Sequence, residues 1–341
     1  MNRNIFPKDS FWNRPVPEKA VFHARNGEWL QLLSQEPTGN LGINTDRFTI
    51  PVYEVNEKTP RGFVHKRKES KDEARSWTHF AAWEDNLKDF DHAPDFDHAV
   101  PMPPDALPDK ATDSHLCLVD WQRRLAWDFW NVVRLGASEW KSRSAISYSL
   151  DDDGVFSSAK LGPVNDGDSI HFHGPCRASG APLLAGLIMY DEILAGRITH
   201  KLAFACRYPA YKEFVYPAIW TDGIFPGGIP EGTLIQLDPE LDINRLQLLP
   251  GEKTVVKALQ EYGMVCVDFA GGTVLYAENL NHRSDISWKG LLSPEGLKQI
   301  SMQQFRVIQT GPVTRKGDRL RKRQFYTTGP QPDYSGIIAS P

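Results

Sequence analysis

Apolar residues in this chain gather in short runs separated by Pro, Gly and Asp, a rhythm that predicts strands more often than helices. HLCLVD (115–120), a short QRR turn and LAWDFWNVV (125–133) read as a hairpin whose apolar run is nearly continuous, so both faces are expected to be covered. Further strands are predicted at DSIHFHG (168–174), HKLAFAC (200–206), EFVYPAIW (213–220), TLIQLD (233–238), MVCVDF (264–269) and FRVIQ (305–309). RFTIPVYEV (47–55) alternates imperfectly and carries Pro51, which suits an edge strand or a strand start. Helical spacing is rarer. It is ragged over residues 22–34 and clearest in TVVKALQEYG (254–263), where Val255, Val256, Leu259 and Tyr262 share a face and Gly263 ends the run. A single turn is expected from Tyr190 to Ala195, stopped by Gly196, and a short helix at SPEGLKQI (293–300), with Ser293 as N-cap and Pro294 at the first position.

Residues 57–75 are dense in charge and read as an exposed loop. The five prolines of residues 86–112 forbid regular structure, so this Pro- and His-rich stretch is expected to wrap the domain or serve its function. Many short strands with Pro- and Gly-rich turns point to a mainly β fold, a β-sandwich or jelly-roll with a few short helices and long loops. One domain is expected over residues 1–312. Residues 313–341, with a basic cluster from Arg315 to Arg323, read as a flexible tail.

Hydrophobic residues at 40% and charged residues at 24% are ordinary for a globular chain, which excludes disorder, collagen and coiled coil for the whole. A net charge of −4 argues against general nucleic-acid binding, and no apolar stretch approaches a membrane span. The start, MNRNIFPKDSFWNRPV, has no apolar core of a signal peptide. Cys117, Cys176, Cys206 and Cys266 are widely spaced with no CxxC pair, and are expected as reduced core residues. GxGxxG after a strand, GxxxxGK[ST], HExxH and GxSxG are all absent, which removes the common nucleotide, zincin and α/β-hydrolase readings.

Several groups are candidates for chemistry. Asp113 and His115 flank the hairpin's open end, and a carboxylate beside a histidine raises its pKa and fixes its tautomer, as a general base requires. Asp128 lies between Trp127 and Trp130, where aromatic faces can stack on sugar rings and desolvation can raise the acid's pKa. His171 and His173 would converge on one face of a strand. They are half of a divalent-metal site lacking a third ligand, with His200 and His115 as candidates; otherwise they bind substrate without metal, and no other cofactor is indicated. Arg177, beside Ser179 and Gly180 in a tight turn, can bind a carboxylate such as a uronate. Asp268 ends a strand before Gly271-Gly272, at a rim open to a ligand. His200 and His282 complete the set, and each of these residues also has an ordinary structural reading as a packed or turn-forming group.

Four segments carry a resemblance: IFPKDSFWNRPV (5–16), PDKATDSHLCLVD through AWDFWNV (108–132), RASGAPLLAGLIMYDEILAGRITHKLAF (177–204) and LQEYGMVCVDFAGG (259–272). Together they resemble a group of uncharacterised, mostly exported bacterial proteins. The resemblance implies a single domain over about residues 5–310, export, and a grouping of the Asp113/His115, Arg177/Ser179 and His200 segments; it carries over no catalytic role.

The leading expectation is a glycan-active enzyme with a cleft lined by Trp127, Trp130 and Trp220. In β-elimination, Arg177 would neutralise a uronate and His173 or His115 would take the adjacent proton. In hydrolysis, Asp128 and Asp268 would be acid and base or nucleophile. A non-catalytic carbohydrate-binding module and a structural or assembly protein are the alternatives.

Overall fold

The hairpin that stands out in the sequence is the centre of the fold. A computed structural model describes residues 3–36, 40–66, 79–82, 99–155 and 176–315. Leu116–Asp120 and Leu125–Trp130 pair antiparallel, with Leu116 opposite Phe129 and Cys117 opposite Asp128. They are joined by Ser144–Ser149, by His79–Ala82 at one edge and by Val52–Glu54 at the other, making a five-stranded sheet. Val52–Glu54 starts directly after Pro51, whose missing N–H is tolerable at an edge.

The near-continuous apolar run has its cause in two packed faces. Leu116, Leu118, Trp127 and Phe129 meet Met102 and also Val64 and Trp140 of a four-stranded sheet. On the other face, Cys117, Val119, Ala126 and Tyr148 look toward Ala203, Ala205, Val265, Val267 and Tyr276 of a six-stranded sheet. Between those two sheets runs the segment 181–187, with Leu183, Leu184, Ala185 and Leu187 buried.

The six-stranded sheet orders Gly42–Asn44, Val274–Tyr276, Leu202–Cys206, Met264–Phe269, Leu234–Leu237 and Phe305–Val307. Its outer face is covered by the helices Asn26–Ser34 and Pro250–Glu261, through Trp29, Leu30, Leu33, Val255, Val256 and Leu259. Each such fully buried aliphatic side chain stabilises the fold by about 1.5–3 kcal/mol. The fold is thus mainly β, with mixed sheets stacked in layers and few, short helices.

Several local expectations are corrected. The charged stretch 57–75 contributes a strand, Arg61–Lys66, because Val64 is buried and Gly62 leaves room for the Trp140 ring, 2.5 Å from where a Cβ would stand. SPEGLKQI forms successive turns in place of a helix. Ser293 N–H donates to Glu252 Oε1 (3.0 Å) and Gly296 lies against the Glu252 carboxylate, so the segment folds onto the start of helix Pro250–Glu261. The tail begins as a strand, Thr314–Arg315, paired with Pro209–Phe214 and tied by Arg315 to Glu213 at 2.6 Å. The strand expected over EFVYPAIW ends at Phe214 and gives way to the cis Tyr216-Pro217 peptide. Of the Pro-rich loop, residues 99–112 are described: Val100–Pro101 forms an edge strand and the Ala106 carbonyl accepts from the Trp140 indole at 3.3 Å. Residues 67–75 and 86–98, the DSIHFHG segment and the tail from 316 lie outside the described residues.

Candidate functional site

The open end of the central hairpin sets the first two groups. Asn131 N–H donates to Asp113 O (2.8 Å) and Val132 N–H to Ser114 O (3.1 Å), extending the pairing beyond the strands. Ser114 sits at φ +44°, which turns the chain so that Asp113 is half-exposed at the rim while His115 is buried. His115 Nε2 lies 2.9 Å from the carbonyl of Cys176, the residue that opens the inter-sheet segment.

Arg177 follows at once and is 1% exposed. Its terminal nitrogens donate to the carbonyls of Pro182 (3.2 Å), Leu183 (3.1 Å) and Ala185 (2.7 Å), and its guanidinium lies 4.8 Å from the Tyr276 ring centre. Asp128, fully buried, holds the same segment from the other side: Oδ2 accepts from Leu183 N–H (2.6 Å) and Oδ1 from the Tyr148 hydroxyl (3.0 Å). Burial pushes the Asp128 carboxyl up to about 6, against the hydrogen bonds from Leu183, Cys117 and Tyr148 and the nearby Arg177 charge. Asp128 and Arg177 therefore clamp residues 182–185 between the sheets.

Ser179 is a turn residue. Its N–H donates to Val267 O (3.1 Å), its carbonyl accepts from Ile219 N–H (2.9 Å), and Gly180 beside it takes φ +82°. These bonds stitch the Arg177 turn to the strand ending at Phe269 and to the segment carrying Asp222.

Asp268 owes its direction to an irregularity. Phe204 pairs with Cys266 but Ala205 pairs with Asp268, so Val267 is an extra residue in the parallel ladder. Met264 and Cys266 face the helices, and Val265 and Val267 face the inter-sheet core. Strict alternation would send Asp268 to the helix side; the bulge re-aims it, as bulges near functional sites do. There its carboxyl is held well above the usual carboxylate range by burial, then by the negative Asp222 and Asp113, with Arg177 opposing. The Tyr276 phenol is pushed up by burial and by Asp268, and the His115 imidazole is pushed down by burial. Asp113, His115, Arg177, Asp222, Asp268 and Tyr276 thus share one electrostatic neighbourhood between the two sheets.

Other candidates lie elsewhere. Trp127 points to the opposite face, into the core shared with the four-stranded sheet. Trp130 is half-buried with Arg143 5.2 Å from its ring centre, and Trp220 is buried, so these rings do not line an open groove. His200 precedes Leu202–Cys206 at the end away from Asp268, roughly 17 Å along a strand rising about 3.3 Å per residue. It bonds Glu192 at 3.1 Å and the Lys201 carbonyl at 2.8 Å; Glu192 and these bonds raise its pKa against the lowering effect of burial. Asp113, His115, Arg177 and Ser179 thus lie in one region of the fold, and His200 stands apart. His282 stacks on Tyr53 at 4.1 Å, away from this neighbourhood. His171 and His173 lie outside the described residues. Among the described residues, no group of three or more His, Cys, Asp or Glu side chains is arranged to hold a metal ion. No described helix is long and apolar enough to cross a membrane.

Sequence reasoning missed Asp222 and Tyr276. The Asp222-Gly223 pair reads as a turn signal and nothing more, and Tyr276 sits in an ordinary strand, VLY. Comparison with protein-family models, curated proteins and solved structures finds no match to this chain.

Proposed function

We propose that this protein is a glycan-active enzyme that cleaves a polysaccharide by hydrolysis. The observation that carries this reading is Asp268: a half-buried carboxyl held well above the usual carboxylate range by burial and then by the field of Asp222 and Asp113. Carboxyl groups whose environments differ in this way divide into acid and base. Asp268 would protonate the leaving oxygen, and Asp113 or Asp222 would act as base or nucleophile, their separation from Asp268 setting the stereochemical outcome. Asp128, with both oxygens occupied, acts here as a positioning residue that holds the inter-sheet segment. The elimination route draws less support, because the terminal nitrogens of Arg177 already serve three carbonyls and are not free to grip a uronate.

The test is reducing-sugar release from a panel of neutral and acidic polysaccharides by the wild type and Asp268→Asn. A loss of about 10²–10⁴-fold in kcat in the variant is expected, the range of one acid–base residue. Silence across the panel, or activity that survives Asp268→Asn, overturns the reading.

A further inference from the structure

A groove of about 370 Å³ opens at the tip of the central hairpin, beside the turn that follows the edge strand Val52–Glu54. That volume falls within the range of small-molecule sites. The edge strand runs parallel to Leu116–Asp120, so both chains leave the sheet at the same end and their turns border the groove together. Of the lining residues, Val55, Asp120 and Trp121 are buried, and Glu54, Asn56, Glu57, Lys58 and Gln122 are exposed. The strand from Leu116 to Asp120 is roughly 13 Å long at about 3.3 Å per residue, and the Asp113 rim lies beyond its other end. The groove is therefore separate from the Asp268 neighbourhood.

Its charges are largely matched already. Glu54 accepts from Arg3 through both oxygens, at 2.6 and 3.1 Å. Asp120 accepts from Arg123 Nε (2.7 Å) and from the N–H groups of Gln122 (3.0 Å) and Arg123 (2.9 Å). Glu57 and Lys58, adjacent in sequence, carry opposite charges. An anion would meet three carboxylates against Lys58, and a cation would compete with Arg3 and Arg123. An apolar ligand would desolvate these polar groups without replacing their hydrogen bonds. Neighbouring hydroxyls, each a donor and an acceptor, suit a carboxylate, an ammonium and the amide of Gln122 at one rim. Trp121 adds apolar surface of the kind that packs on a sugar ring. We propose that this groove is a second binding site, which holds a neutral, hydroxyl-rich stretch of the polysaccharide away from the bond being cleaved. The ligand class rests on the glycan reading above.

The test titrates the full chain, labelled with ¹⁵N, with cellohexaose, mannohexaose or xylohexaose. The backbone amide signals of Glu57, Lys58 and Gln122 should move with one of these sugars. The affinity read there should fall about tenfold or more in Glu57→Ala/Gln122→Ala, as for two lost hydrogen bonds. Both side chains are exposed, so the variant should keep the wild-type Tm. If no neutral hexasaccharide moves these signals, or the double variant binds as the wild type does, the site is overturned. Signals that answer only to trigalacturonate, trilysine or an uncharged Gly-Ser peptide overturn it equally. Sugar binding in the groove with no turnover of any glycan would keep the site and remove the hydrolase. Hydrolysis with these signals unmoved would do the reverse.

Discussion

Asp128 shows how a buried acid can serve the fold at a cost set by pH. Its carboxyl stands near 6 in the folded chain against an ordinary 3.8. The native state therefore holds a proton that the unfolded chain has released between these values, and stability falls as pH rises through that window. The contribution is complete below about pH 4 and gone above about pH 6, a difference on the order of 3 kcal/mol at 1.36 kcal/mol per unit. Urea unfolding at pH 4, 5, 6 and 7 should show this slope in the wild type, and Asp128→Asn should flatten it by about one proton. Asp268 carries the opposite kind of consequence, for activity: because its protonated form is the working one, the rate should decline on the alkaline side and that limb should vanish in Asp268→Asn. At this scale the sequence reading reached Asp113, His115, Arg177 and Asp268 by residue type and position. It did not reach Asp222 or Tyr276, whose relevance lies in what surrounds them, and it put Trp127 in a cleft although strand alternation sends it to the opposite face from Asp128.

Among elements, the segment 177–187 matters most, because it is the irregular layer on which two sheets close. Its geometry depends on Gly186, at φ +69°, where a Cβ would stand 2.3 Å from the backbone nitrogen of Ala203. Gly186→Ala is expected to destabilise the protein by about 2–3 kcal/mol, since both the positive φ and the close backbone approach are lost to any side chain. Arg177→Met should cost about 3–5 kcal/mol, because it leaves three buried carbonyls without their charged donor. Denaturant midpoints check both, and faster amide exchange over 183–187 should accompany the second. The hairpin, the edge strand after Pro51 and the long helix Pro250–Glu261, stopped before Gly263, follow from local pattern. The bulge at Val267 does not, since nothing in MVCVDF marks one residue as extra; only the pairing with Leu202–Cys206 reveals it.

For the whole molecule, three cores stack through two shared sheets, and all four cysteines are buried as free thiols. Cys206 and Cys266 come nearest, with sulfurs 3.9 Å apart, well beyond the roughly 2 Å of a disulfide. A thiol reagent such as Ellman's should find no fast-reacting group in the native protein and four after unfolding in guanidinium. The mainly β class was legible because turn residues interrupt apolar runs at short intervals. Which strands are neighbours was not, because parallel partners lie far apart in sequence.

One of those distant pairings governs how the chain must be made. Gly42–Asn44 completes its ladder on Val274–Tyr276, and Phe22 bridges to Ile308. A polypeptide emerging from the ribosome holds its first strand in waiting until almost the last residues of the sheet have been synthesised. Loop closure over that span is slow, and the unfinished edge is open to the wrong neighbour meanwhile. A version truncated before residue 300 should accumulate in aggregates, while the full-length chain refolds from dilute denaturant.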